Sequence, residues 1–370
     1  MAQRKLSNSG ALNKLRSRWD FYLIVGLAVI VISYLLFLDS FSTSWIIIAS
    51  LVFLGQVAIF LFDLPKNHRE KDSKLLPAFG AGTWLSLLRL LLLSMVAGFL
   101  IFPRLVGGLA WVPFTLYLAF NLLDLVDGYA ARRWGQVTRL GEKLDLDLDG
   151  RGMLVGSLLA VLAGAAGWWY LLVGMARYFY VFGIWLRKRL RLPVIEKANQ
   201  RGRPLAGLQM GVSTAMLAPA LHPPYTIWIS TLVMVPFLAN FIYDWLVIGR
   251  KRAKQVLFPE WVTKLLPLIL RAALVPLPAF RLFSIEASGV SLAIEVLIMI
   301  GLLLGAGVRV LCLILLIQIG LVLQKQLPQT LDLIVSLFSL TLVYLGPGAY
   351  SLWQPETSIL RRRLGESRGK

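Results

Sequence analysis

Residues 109–150 read LAWVPFTLYLAFNLLDLVDGYAARRWGQVTRLGEKLDLDLDG: an apolar run ending on carboxylates, a basic stretch, and a second carboxylate group leading into another apolar run. The flanking runs, 109–126 and 150–167, approach the roughly 20 residues that cross a hydrocarbon core about 30 Å thick. Their polar junction therefore lies at a membrane boundary. The rest of the chain agrees, because 58% of its 370 residues are hydrophobic and 15% charged, against roughly 25% charged in a soluble domain. About twelve apolar runs are long enough to be candidate spans. The sequence predicts an all-α polytopic membrane protein.

The net charge of +19 does not point to nucleic acid, because Lys and Arg sit in short loops between apolar runs and not along one soluble face. Such loops read as topology, and anionic lipid at the cytoplasmic leaflet favours each basic residue by about 1 kcal/mol. The first run, Phe21 to Leu38, has no small-residue cleavage site after it and reads as a retained span, with the basic segment before it (Arg4, Lys5, Lys14, Arg16, Arg18) in the cytoplasm. A second span at 44–64 completes a hairpin. Lys66, Arg69, Lys71 and Lys74 then separate it from six spans at 83–102, 109–126, 150–167, 169–186, 205–221 and 226–248. Their loops alternate. Arg132, Arg133, Arg139 and Lys143, then the run from Arg187 to Arg203, then Arg250 to Lys254 fall on one side, while the opposite side carries little besides Arg104. The carboxylates are thereby expected at the cytoplasmic face.

Four further runs, at 263–280, 288–306, 308–324 and 329–346, return the Arg361–Arg363 tail to the same side. Pro267, Pro276 and Pro278 crowd the first of them and leave it open as a broken, re-entrant or interfacial segment. The expected division is an N-terminal segment and hairpin (1–76), a six-span catalytic bundle (77–255) and a C-terminal hydrophobic domain of about four spans (256–370). Within the span from 150, Gly152, Gly156, Ala160 and Gly164 recur every four residues, a spacing that serves close helix packing, with substrate access the other reading.

Cys312 is the sole cysteine and lies in an apolar run, and His68 and His222 are the only histidines. No intrachain disulfide forms, and Cys-based or His-based metal sites have no ligands to draw on. Carboxylates must carry the chemistry. On helices, Asp124 and Asp127 (i, i+3) share a face, as do Asp145 and Asp149 (i, i+4); Asp147 points elsewhere. Four like charges in a partly dry site demand cations, and an oxygen-only donor set selects Mg²⁺, Mn²⁺ or Ca²⁺ over zinc. Two ions about 3.5 to 4 Å apart grip a pyrophosphate and stabilise a leaving phosphate. Gly128 and Gly141 allow close approach of backbone and ligand, Ala131 keeps its helix face open, and Arg132 suits phosphate. The bland alternative is a structural ion cluster.

The spacing D-x2-D-G-x2-A-R-x8-G-x3-D-x3-D, filled by Asp124, Asp127, Gly128, Ala131, Arg132, Gly141, Asp145 and Asp149, resembles the signature of the CDP-alcohol phosphotransferases. At roughly 5 to 8% usage per residue type, eight fixed positions coincide by chance on the order of once in 10¹⁰ starting points. The resemblance covers about residues 77–250. It implies that Asp124, Asp127 and Asp145 ligate metal, that Asp149 joins the second metal and is the catalytic base, that Gly128, Arg132 and Thr138 contact the CDP moiety, and that the protein is a homodimer. Thr83-Trp-Leu-Ser-Leu-Leu-Arg89 is similar to the family's first span, without its usual Pro-Asn; Arg89 either anchors a helix end or contacts nucleotide. Arg132 to Thr138 reads like the glycerophosphate branch, whereas Asp145-Leu-Asp-Leu-Asp149-Gly150 lacks the proline and lysine found there. Arg177 lies well inside a span and reads equally as part of an acceptor-phosphate pocket or as a snorkelling, structurally paired arginine. The C-terminal runs, closing on Gly346-Pro-Gly-Ala-Tyr-Ser351, resemble the DoxX-like membrane families.

Together these features predict a phospholipid-synthesising transferase using Mg²⁺ or Mn²⁺, in which an alcohol attacks a CDP-diacylglycerol-type donor and releases CMP. Glycerol 3-phosphate or an inositol compound is the expected acceptor. Two alternatives stand beside it: a soluble CDP-alcohol donor with a lipid acceptor, and a transport or redox-associated protein acting through its C-terminal spans.

Overall fold

The computed structural model describes residues 2–37, 41–69, 74–101, 107–133, 137–194, 202–248, 260–276, 289–322 and 330–353. The expectations placed on Lys71, Arg104, Lys197, Arg201, Arg250, Lys251, Arg252, Lys254, Pro278 and Arg361 to Arg363 lie outside them. Twelve α-helices and no β-strand occur among the described residues: α1 (Ala2–Leu36), α2 (Thr43–Leu61), α3 (Ala81–Ala97), α4 (Val112–Arg133), α5 (Arg139–Leu162), α6 (Leu171–Arg189), α7 (Gly202–Met216), α8 (Tyr225–Val247), α9 (Glu260–Leu274), α10 (Gly289–Leu304), α11 (Val308–Val322) and α12 (Thr330–Leu345). Six helical segments, in α1, α2, α3, α4, α6 and α8, are long and apolar enough to cross a membrane. The all-α polytopic class is what the chain adopts. The four C-terminal helices have 15 or 16 residues each, about 23 Å at 1.5 Å per residue, with Pro267 inside the first.

The chain divides into two compact units, Met1–Val181 with Met210–Pro219, and Phe182–Gln209 with Ala220–Lys370. In the first, α3 is the central helix and packs on α2, α4 and α5. Leu87, Leu90, Leu93 and Val96 are fully buried along it. Lipid offers helices no hydrophobic drive to associate, so contact depends on shape and hydrogen bonds. Gly152 and Gly156 supply that shape: a Cβ at 152 would lie 2.5 Å from the Phe120 ring and one at 156 would lie 2.6 Å from Tyr117 Cζ. Tyr117 Oη also donates to the Gly152 carbonyl at 2.9 Å. Gly152 and Gly156 form a packing face, whereas Gly164 lies beyond the end of α5 with φ 70° and does not continue it. Tyr170 and Ser213 (2.9 Å) and Asn121 and Thr214 (2.7 Å) tie the second half of α7 into this unit.

The basic N-terminal stretch continues the first span as a single 35-residue helix. Ala11, Leu15, Trp19 and Tyr22 form a buried stripe along it at helical spacing, with Trp19 edge-on to Phe79 at 6.1 Å. In the second unit, the turn between α10 and α11 pairs with the chain after α12: Gly307 N donates to the Trp353 carbonyl and Leu352 N to the Leu304 carbonyl, each at 3.1 Å. Arg271 Nη2 donates to the Ala349 carbonyl at 2.9 Å, which fixes the glycine-rich segment after α12 onto α9.

Candidate active site

The run after Arg133 re-enters helix at Arg139, eleven residues before the apolar run at 150, because Thr138 caps it. Thr138 is extended (φ −126°, ψ 153°) and its Oγ1 accepts from Gly141 N at 3.1 Å. The Arg139 N–H, another donor without an intrahelical partner, is taken by the His68 carbonyl at 3.1 Å. Asp145 and Asp149 therefore lie on the same helix as the apolar segment that follows them to Leu162, a helix that is not among the six long and apolar enough to cross a membrane. Gly141 faces Thr83 and Thr138, whose hydroxyl oxygens would each lie 3.4 Å from a Cβ there.

Asp124 and Asp127 project from α4, Asp145 and Asp149 from α5, and Arg89 of α3 stands among all four. Its Nη1 lies 3.0 Å from Asp124 Oδ1, 3.0 Å from Asp127 Oδ2 and 2.8 Å from Asp145 Oδ1; its Nη2 lies 2.8 Å from Asp149 Oδ1. The guanidinium is wholly buried and lies 4.8 Å from the Phe120 ring centroid. Ser86, one turn before Arg89, adds a 3.2 Å hydrogen bond to Asp127 Oδ2. Side-chain exposure is graded: 4% for Asp127 and 22% for Asp124, against 46% and 40% for Asp145 and Asp149. The α4 pair forms the floor of the site and the α5 pair its open side.

Asp124, Asp127 and Asp145 each offer an oxygen within 4.8 Å of the others. No histidine or cysteine belongs to that group among the described residues. Such a donor set fits a hard divalent cation. Asp149 stands outside the trio and joins it through Arg89.

The other expected site residues are distributed as follows. Gly128 is half-buried beside Asp127 on α4. The α4 backbone runs through Ala131 and Arg132, whose side chains lie outside the described residues. Arg177 reaches across Gly150, where any Cβ would meet its Cδ, and pairs with Asp147 at 3.2 Å.

Two features of the site go beyond what the sequence shows. Arg89 reads there as a helix anchor or a nucleotide contact, and its being the only charge in the run 83–101 is the signal that marks a functional ionisable group. The second is Asp63, which accepts from Lys143 at 2.5 Å and Lys66 at 2.6 Å and so links the end of the N-terminal hairpin to the first turns of α5. Burial raises the Asp63 carboxyl, but the hydrogen bonds and charges of Lys143 and Lys66 outweigh it and hold the group below its ordinary range. No local pattern announces that pairing across 80 residues.

Residues 81–243 match the model of the CDP-alcohol phosphatidyltransferase family. This segment is similar to that family. Members of the CDP-alcohol phosphatidyltransferase family are transferases of substituted phosphate groups that act on a CDP-alcohol and an alcohol acceptor with divalent metal; the likeness of this segment to them supports a phospholipid-synthesising transferase, and the six apolar helices support an integral membrane protein. No curated protein and no solved structure matches the chain.

Proposed function

We propose that this protein transfers the phosphatidyl group of a CDP-diacylglycerol-type lipid to the hydroxyl of a small polar alcohol at the cytoplasmic face. The supporting observation is the convergence of four signature carboxylates from two helices, with one pair sunk and the other open. Asp124, Asp127 and Asp145, with Asp149 on the far side, are the groups that would hold Mg²⁺ or Mn²⁺. When bound, such ions neutralise the diphosphate and stabilise the departing phosphate.

The chain's own groups account for the rest. Gly128, Thr138 and Gly141 are assigned to the CDP moiety on the family likeness, as are Ala131 and Arg132, a residue type whose planar fork suits phosphate oxygens. Asp149 accepts the proton of the acceptor hydroxyl. The acceptor's hydroxyl oxygen then forms a bond to the β-phosphorus, the bond from that phosphorus to the bridging oxygen breaks, and CMP leaves with the electron pair. Asp149 suits the base role because it stands outside the Asp124, Asp127 and Asp145 trio with its side chain 40% exposed. Arg177, which pairs with Asp147, is taken as the group that would meet an acceptor bearing its own phosphate, such as glycerol 3-phosphate or an inositol phosphate. We assign 77–255 as the catalytic part, 1–76 and 256–370 as its flanking segments, and a homodimer as its working form.

The decisive experiment measures CMP release from CDP-diacylglycerol by purified protein with each acceptor in turn. Turnover that requires Mg²⁺ or Mn²⁺ and disappears in Asp149→Asn is the expected result. Metal-independent turnover untouched by that substitution sinks the proposal, and turnover only with a soluble CDP-alcohol and a lipid acceptor reverses the donor assignment.

A further inference from the structure

Four carboxylates within reach of one another are a problem before they are a site. Each repels the others, and the low dielectric around α4 and α5 magnifies the repulsion. Arg89 answers this from a third helix. Its two terminal nitrogens touch one oxygen of every signature aspartate at 2.8 to 3.0 Å. The guanidinium cannot leave for solvent: it is 0% exposed and lies against Phe120, whose ring is itself fully buried. A lysine could not do the same, since an ammonium is a point charge without a rigid fork.

We infer that Arg89 is a positioning residue for the metal site: it gathers the α4 and α5 carboxylates onto one guanidinium and sets the charge that divalent ions must neutralise. Four carboxylates and one guanidinium leave three negative charges. Two divalent ions turn that into a single positive charge, which suits a diphosphate substrate while stopping short of a site too positive to release its product. Without Arg89 the same ligands carry four negative charges, repel one another more strongly and draw divalent ions more tightly. Arg89 therefore weakens ion binding while improving the order of the ligands. That combination separates it from a packing residue, whose loss disorders ligands and weakens ion binding. The inference rests on the reading of the aspartates as metal ligands, but it is tested without substrate.

The probe is Mn²⁺ alone, titrated into purified full-length protein in detergent and followed by the paramagnetic signal of free Mn²⁺ and by the rise in unfolding temperature. Arg89→Met is expected to bind Mn²⁺ at least tenfold more tightly than wild type, and to gain more in unfolding temperature from saturating Mn²⁺. Arg89→Lys, which keeps the charge, is expected within about threefold of wild type. Equal or weaker binding by Arg89→Met overturns the inference. Should Arg89→Met not accumulate, the double variant Arg89→Met/Asp124→Asn, which restores three negative charges, decides: recovery of folded protein supports charge balance as the role, and continued failure overturns it. Absence of CMP release from wild type would count against the transferase reading and leave these binding results standing.

Discussion

Replacing Gly152 by alanine tests whether the small-residue face of α5 governs the site as well as the packing. A Cβ at 152 would lie 2.5 Å from Phe120 Cε1 and 2.6 Å from Cζ, whereas carbons in contact prefer about 3.5 to 4.0 Å. Roughly 1 Å of overlap must be relieved. Phe120 has no open direction in which to move, being fully buried with Arg89 over its ring and Tyr117 stacked 5.7 Å away. Overpacking of this kind costs about 1 to 3 kcal/mol, and weakening the Tyr117 to Gly152 hydrogen bond adds about 1 kcal/mol. Gly55→Ala in α2 is the control, since a Cβ there meets nothing within 4 Å; it should stabilise by about 0.5 to 1 kcal/mol through helix propensity alone. The assay is unfolding of purified protein in detergent, with CMP release measured in parallel. Because Phe120 supports Arg89, activity should fall by roughly tenfold to a hundredfold, the scale of a sub-ångström to 1 Å misplacement. Combining Gly152→Ala with Phe120→Leu, which removes the obstructing edge of the ring, should cost at least about 1 kcal/mol less than the two single changes together. Simple additivity, or a Gly152→Ala as stable as Gly55→Ala, would refute the reasoning.

Two further outcomes follow from the ion pairs. The Asp63 carboxyl is held below its unfolded value, so its stabilisation is complete above the unfolded carboxylate range near pH 4 and is lost as pH falls through the lower folded value; Asp63→Asn should cost about 1 kcal/mol at pH 7, a figure kept small because Lys66 and Lys143 are partly solvated, and the gap in unfolding free energy between variant and wild type should close in acid. Gly150→Ala should displace Arg177 and lower stability, with Arg177→Ala in the same chain restoring part of the loss in the same unfolding assay.

The helical class and the carboxylate cluster were legible in the sequence for definite reasons. Apolar run length reports span-forming helices directly, and Asp124, Asp127, Asp145 and Asp149 fall on shared faces by helical spacing alone. Boundaries were less legible. The start of α5 at Arg139 depends on the Thr138 side chain and on the His68 carbonyl, a capping interaction with a residue 71 positions earlier that no hydropathy window contains. The continuity of α1 through its basic segment likewise depends on the buried stripe of Ala11, Leu15 and Trp19, whose partners come from later in the chain. Arg89 was visible as an isolated charge, but its four partners lie 35 to 60 residues away, and only the packing of α3 against α4 and α5 brings them together.

That arrangement has a consequence in time. Arg89 is synthesised 38 residues before Asp127 and 60 before Asp149, which at about 5 to 20 residues per second is roughly two to eight seconds ahead of the first and three to twelve ahead of the second. During that interval α3 is an apolar segment carrying a lone cation, whose insertion at the helix centre costs about 2.5 to 3.5 kcal/mol. Its partners are also unwelcome in lipid until they meet it. That cost is offset only once α4 and α5 pack on α3 and bring their carboxylates to the guanidinium.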